Sequence, residues 1–183
     1  VGTVIVMTSL ITGIMGNIRE ETAFAANSKD FRGVWISTVY SADYPSVQNN
    51  IEGQKTEFTQ KLDKLKAVGI NAVVVQIRPK GDAFYDSTLN PWSAVLTGVQ
   101  GKDPGYDPMT FMIEEAHKRG MEFHAWMNPY RITTSGTDLA ALSADNMARM
   151  HPDWIITHNN AMYYNPAKTE VKEYIRDTVA EVV

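Results

Sequence analysis

The sequence predicts an α/β fold: the N-terminal half of a (β/α)8 TIM-type barrel with parallel strands, truncated at both ends. Three observations carry that expectation. Helical and strand patterns alternate along the chain, which implies right-handed crossovers and a parallel sheet. The clearest strand is a nearly continuous apolar run, as expected when both faces of a sheet are covered. Connections from helix to strand are minimal, whereas those from strand to helix are long, notably Pro79 to Tyr106 and Pro129 to Ser143. The last point favours a barrel over a doubly wound open sheet, because barrel enzymes build their sites from long loops at the C-terminal strand ends. A full barrel takes about 250 residues, and residues 27–183, with four βα units, are expected to be half of one.

The elements follow in order. Val1 to Gly16 is apolar and uncharged, too short for a membrane span of about 20 residues. The small-x-small step Ala23-Phe24-Ala25 comes after it. Residues 1–26 therefore read as a signal peptide whose start is missing, with an uncleaved anchor as the alternative. Residues 27–183 are then the barrel part, with four βα units, in a secreted or cell-envelope protein. Gly33 to Thr38 is the first strand. Gln54 to Val68 carries Phe58, Leu62, Leu65 and Val68 on one helical face, with Gly69 at the C-cap. Ala72 to Arg78 is the second strand, ended by Pro79. A helix opens at Asp107-Pro108, an N-cap followed by the proline favoured in the first turn, and closes at Gly120. Met121 to Asn128 is the third strand, ended by Pro129. A weaker helix spans Ala144 to Met150, and a fourth strand spans Trp154 to Thr157. Thr169 to Val183 reads as an amphipathic helix in which the sequence stops.

Composition narrows the function. Lys and Arg number 17 against 21 Asp and Glu, a formal charge of −4, which offers no basic surface to a nucleic-acid backbone. With no cysteine, a disulfide scaffold, a thiolate metal site and a cysteine nucleophile are excluded. No GxGxxG, Walker, HExxH or GxSxG motif occurs.

Strand parity places the polar residues. Glu122, His124, Trp126 and Asn128 share one face of the third strand, and Gln76 and Arg78 share one face of the second. Arg78, His124, Asn128 and His158 are thereby expected at the mouth of one cavity, although a self-satisfied polar network would look the same in sequence. In the loop after the second strand, Tyr85 and Trp92 offer flat faces for sugar rings, and Asp82, Asp86 and Asn90 offer partners for hydroxyls. Tyr130 and Arg131 repeat that theme beside Asn128. The paired Glu122 and His124 lack further ligands and form no metal site.

The strings FRGVWIST (31–38), GINAVVVQIRPKGDAFYDS (69–87), PWSAVLTGVQGKDPGYDP (91–108) and EEAHKRGMEFHAWMNPYRI (114–132) closely resemble the glycosyl-hydrolase-like 10 family. That family comprises secreted or envelope-associated bacterial proteins, some of them peptidoglycan glycan-strand hydrolases. The resemblance implies a (β/α)8 barrel and a carbohydrate-directed hydrolase that needs no cofactor, with a polysaccharide or glycan strand as its partner. Glycoside hydrolysis usually takes two carboxyls. Related retaining barrels place the general acid at the end of the fourth strand, and Trp154 to Ala167 bears none there. Asp82, next to Arg78 in the rim loop, is the best visible acid. The main acids are expected beyond Val183, in the acidic, aromatic-rich segment that family members carry next. Arg78, Tyr85, Trp92, His124, Asn128, Tyr130, Arg131 and His158 are expected to bind substrate. Two other readings stand beside this one: a carbohydrate-binding barrel without catalysis, and a metal-dependent hydrolase using His124 and His158.

Overall fold

Strands β1 (Gly33–Ile36), β2 (Ala72–Arg78) and β3 (Glu122–Met127) form a parallel sheet in that order. This is the heart of the computed structural model, which describes residues 30–183. The expected signal peptide, residues 1–26, lies outside the described residues. Among the described residues no helix is long and apolar enough to cross a membrane.

The register places Trp35 opposite Val74 and Val74 opposite His124, with Gln76 opposite Trp126. Side chains alternate across a strand, so one face carries Val34, Ile36, Val73, Val75, Ile77, Phe123 and Met127. All of these join a single apolar cluster with Phe58, Leu62, Met112 and Ala116 of the covering helices. The other face carries Trp35, Gln76, Arg78, His124 and Trp126, and there Trp35 and Trp126 meet edge to face at 5.0 Å. The polar parity read from the sequence is the parity found.

Helix α1 (Ile51–Ala67) starts three residues before the expected Gln54, because Asn50 caps it by accepting from the Gly53 amide at 2.9 Å. A single turn, α2 (Ala94–Thr97), lies in the rim loop. Helix α3 (Pro108–Lys118) is capped by Asp107, whose carboxylate accepts from the Thr110 amide at 3.0 Å. Helices α1 and α3 each reverse into the next strand through a left-handed glycine, Gly69 at φ 84° and Gly120 at φ 65°, a conformation glycine adopts without strain. Phe58 and Leu62 are fully buried, each contributing about 1.5–3 kcal/mol of hydrophobic stabilisation. Arg119 ties the two helices together, its Nε reaching Asp63 at 2.7 Å and its Nη1 reaching Glu115 at 2.6 Å.

The second half departs from the expected repeat. The weak helix shrinks to one turn, α4 (Met147–Met150), capped by Asn146. The strand expected at Trp154 to Thr157 forms as β4 (Ile155–His158), but it is not a fourth member of the parallel sheet. It pairs antiparallel with β5 (Ala161–Tyr164), Ile155 opposite Tyr164 and His158 opposite Ala161. The reason is local. Only Asn159 and Asn160 separate the strands, at φ 47° and 57°, and two successive left-handed residues close a tight hairpin. With only two residues between them, β4 and β5 cannot pair in parallel, which would need a crossover of a dozen residues or more. The hairpin docks on the exit of β3: the Tyr164 amide donates to the Tyr130 carbonyl at 2.8 Å, and the Ile132 amide to the Met162 carbonyl at 3.0 Å. With helix α5 (Thr169–Ala180) it builds a second apolar cluster around Ile132, Trp154, Met162, Tyr164, Val171 and Tyr174.

Candidate functional site

The chain leaves β1, β2 and β3 at the same end of the sheet, and a cleft of about 320 Å3 opens there. Its lining comes from the segment after each strand: Tyr40 and Ser41 after β1, Lys80 and Val95 after β2, and Thr134 after β3, with Gln48 beside them. The C-terminal strand ends of parallel α/β sheets are where such folds place their sites.

Arg78 is at the end of β2, where a register shift breaks the ladder to β3. Its guanidinium is fully buried. Nε donates to Asn90 Oδ1 at 3.0 Å, Nη1 to the carbonyls of Asn128 and Pro129 at 2.8 and 3.1 Å, and Nη2 to the Tyr174 hydroxyl at 3.0 Å. The Tyr174 hydroxyl in turn donates to Asn90 Oδ1 at 2.6 Å. All three guanidinium nitrogens therefore donate to neutral oxygens of the protein. Arg78, expected to bind substrate, fastens the rim loop, the exit of β3 and helix α5 to one another in this structure. Asn128 belongs to the same knot, its Nδ2 donating to the Pro79 carbonyl at 3.0 Å and its Oδ1 accepting from Trp126 Nε1 at 3.1 Å.

Asp82 is likewise fully buried and does not line the cleft. Its Oδ2 sits 3.5 Å from Lys80 Nζ and accepts from Gln100 Nε2 at 3.2 Å, while Oδ1 is buried without a hydrogen-bond partner. The carboxylate expected to do chemistry is thus the counter-ion of Lys80, a cleft residue that sequence reasoning missed. Tyr85 is also buried rather than offered to a ligand, and burial pushes its phenol far above the ordinary tyrosine range. It stays neutral. Trp92 is partly exposed in a second cleft, of about 340 Å3, which it shares with Tyr106 and Asp86.

The remaining predicted residues are not gathered into one place. His124 lies on the same sheet face as Trp126, its Nε2 3.0 Å from Glu122 Oε2. Tyr130 is exposed and Arg131 partly exposed on the segment that bridges to β5 at Tyr163. His158 is exposed at the turn of the hairpin, on a different sheet from His124, and shares no hydrogen bond with Arg78 or Asn128. Among the described residues no group of three or more His, Asp or Glu side chains could hold a metal ion.

Sequence reasoning also missed the polar edge of α5. Tyr174, Thr178 and Glu181 follow at spacings of four and three, one face of a helix. Tyr174 and Thr178 reach Asn90, and the Glu181 carboxylate accepts from Ser87 Oγ at 2.5 Å and from the Thr88 amide at 2.8 Å. The sequence did carry that signal, in the spacing of polar residues along an otherwise apolar stripe. It could not name the loop on the far side.

Comparison with known proteins places this architecture. Glycosyl hydrolase YngK of Bacillus subtilis is 49% identical over 178 residues, covering 95% of this chain and 35% of that relative. Glycosyl hydrolase DigH of Escherichia coli K12 is 41% identical over 173 residues, covering 86% of this chain and 39% of that relative. The chain therefore spans somewhat more than a third of the length of the curated relatives it matches. Two solved structures share the fold. A hypothetical protein from Ruminiclostridium thermocellum superposes with a TM-score of 0.53 at 11% identity, over 81% of this chain and 69% of that one. A GH36 alpha-galactosidase from Geobacillus stearothermophilus superposes with a TM-score of 0.52 at 16% identity, over 83% of this chain and 19% of that one. Residues 30–183 match the family described as Glycosyl hydrolase-like 10, and the chain belongs to that family.

Proposed function

We propose that the intact protein is a glycoside hydrolase that cleaves O-glycosyl bonds of a bacterial cell-wall, peptidoglycan-type glycan outside the cytoplasm. The observation that carries this reading is the cleft at the C-terminal ends of β1, β2 and β3, lined by hydroxyl, amide, ammonium and aromatic groups. The two relatives are themselves glycosyl hydrolases by name. The chemistry would be carboxylate acid–base catalysis without a cofactor.

The hairpin bears on where those acids come from. β4 pairs with β5 and not with β3, so the lack of an acid at its end does not weigh against this reading.

The test is to incubate the intact protein with purified peptidoglycan glycan strands and follow soluble sugar by mass spectrometry. Release is expected, and either Asp82→Asn or Arg78→Ala should lower it at least about tenfold by displacing Lys80 or the rim loop. Unchanged turnover in both variants would detach this loop from the site. Binding of the glycan without release would favour a carbohydrate-binding protein.

A further inference from the structure

The turn after β1 holds a backbone that its own sequence resists. Tyr40 and Ser41 are consecutive residues at φ 58° and 53°; the other described non-glycine residues with positive φ are asparagines. A bulky L residue avoids this region because its Cβ crowds the carbonyl oxygen. The surroundings impose it. Gln76 Oε1, fully buried on β2, accepts from the amides of Thr38 and Val39 at 3.0 Å each, and the Thr38 hydroxyl donates to the Gln76 carbonyl at 2.8 Å. Asp43 accepts from the Ser37 amide at 2.8 Å, and the Ser41 amide donates to the Thr38 carbonyl at 3.0 Å. Strain of this kind persists only where the neighbourhood over-determines it, and it concentrates at binding and catalytic sites.

Packing does not account for what the turn displays. The Tyr40 side chain is 73% exposed, and it lines the cleft at the strand ends. Around it stand the hydroxyls of Ser41 and Thr134 and the amide of Gln48. Lys80 adds an ammonium, but its charge is balanced by the buried Asp82. The cleft thus offers one aromatic residue, the small apolar surface of Val39, Ala94, Val95 and Gly98, and hydroxyl- and amide-bearing residues beside them, with the one cation paired. That lining fits a neutral sugar, whose apolar face can lie on an aromatic ring while its hydroxyls are met at the edges.

We propose that this cleft is a saccharide subsite in which the Tyr40 ring is the stacking face for one neutral pyranose, with Ser41, Gln48 and Thr134 meeting its hydroxyls. The proposal rests on the glycosidase reading above and assigns that activity a subsite. The β1 turn, strained in the free protein, is pre-organised to hold the ring in place.

The experiment is calorimetric titration of the intact protein with the β-1,4-linked tetramer of N-acetylglucosamine, alongside sugar release from peptidoglycan by the unchanged protein. Tyr40→Ala and Tyr40→Asn are expected to weaken tetrasaccharide binding at least about tenfold, while Tyr40→Trp stays within about threefold of the unchanged protein. Tyr40→Asn should melt no lower than the unchanged protein, since asparagine tolerates the left-handed region, so lost binding cannot be lost folding. If Tyr40→Ala and Tyr40→Asn bind as tightly as the unchanged protein, the subsite is overturned and the glycosidase reading stands. Release from peptidoglycan without any tetrasaccharide binding has the same meaning. An unchanged protein that neither binds the tetramer nor releases sugar sinks both.

Discussion

The two apolar clusters of this chain are assembled by different means. The first takes Ile36, Val73, Val75 and Ile77 from successive strands and Phe58, Leu62, Met112 and Ala116 from the helices between them. Each contributor sits where a period of two or of 3.6 puts it. The second draws Ile132, Leu142, Ala148, Trp154, Met162, Tyr164, Val171 and Tyr174 from a strand exit, a rim segment, a one-turn helix, a hairpin and α5. No local period links those positions. What joins the second cluster to the first is polar: Arg78 leaves β2 and meets Tyr174 and Asn90, with the Asn128 and Pro129 carbonyls beside them. A cluster built from repeated units depends mainly on volume. One built from distant segments depends on a few hydrogen bonds made in a buried place, where each is costly to leave unmade.

That contrast can be broken or sharpened by substitution. The largest effect belongs to the junction. Arg78→Met keeps bulk but strands several buried acceptors, each costing about 1–3 kcal/mol, so urea unfolding should show a loss of about 3–5 kcal/mol. Hydrogen exchange at the Met162 and Tyr164 amides should accelerate with it. A loss below about 1 kcal/mol would mean that the two clusters are held together by packing after all. Next comes Leu62→Ala in the first cluster, expected to cost about 3 kcal/mol through cavity formation. At equal overall stability it should leave the hairpin amides protected; preferential deprotection there would erase the distinction. Tyr174→Phe is smaller. It keeps the ring in the second cluster and deletes only the hydroxyl shared by Arg78 and Asn90, about 1–2 kcal/mol by chemical denaturation.

The smallest effect is an acid-side one on the helix pair of the first cluster. Asp63 is held below the ordinary carboxylate range by Arg119, and Glu115 by Lys118 and then Arg119. A depressed folded-state pKa stabilises above the unfolded value and is lost as pH falls through the folded one. Melting temperature should therefore drop modestly as pH falls below the usual carboxylate range. Salt should blunt the contribution of the exposed Asp63 most, since Glu115 and Arg119 are largely shielded from solvent. In Arg119→Ala the Asp63 part should vanish and the Glu115 part should shrink to what Lys118 supplies.

Legibility in the sequence followed the same division. The parallel strands, the two long helices, their Asp107 cap and their Gly69 and Gly120 exits were readable because each is fixed within a few residues. The strand predicted at Trp154 to Thr157 forms as β4, but Asn159-Asn160 between two β-rich runs is a hairpin signal and turns it into an antiparallel pair instead of a fourth parallel strand. At the site, the strand ends were readable and the exposure of side chains was not. Arg78 and Asp82 were singled out for their chemistry, yet both are buried with partners from far along the chain. Lys80 and Tyr40, which line the cleft, carry no pattern that marks them in advance.

The amino-acid order alone determined the parallel α/β framework and which face of each strand is polar, since short-range periodicity and caps decide those within one unit. Only tertiary structure decided which polar groups are consumed internally and which meet solvent. That outcome depends on contacts such as Arg78 with Tyr174, 96 residues apart, and on a hairpin that takes β4 out of the sheet. Burial and hydrogen-bond satisfaction are properties of the assembled neighbourhood, and no run of adjacent residues contains it.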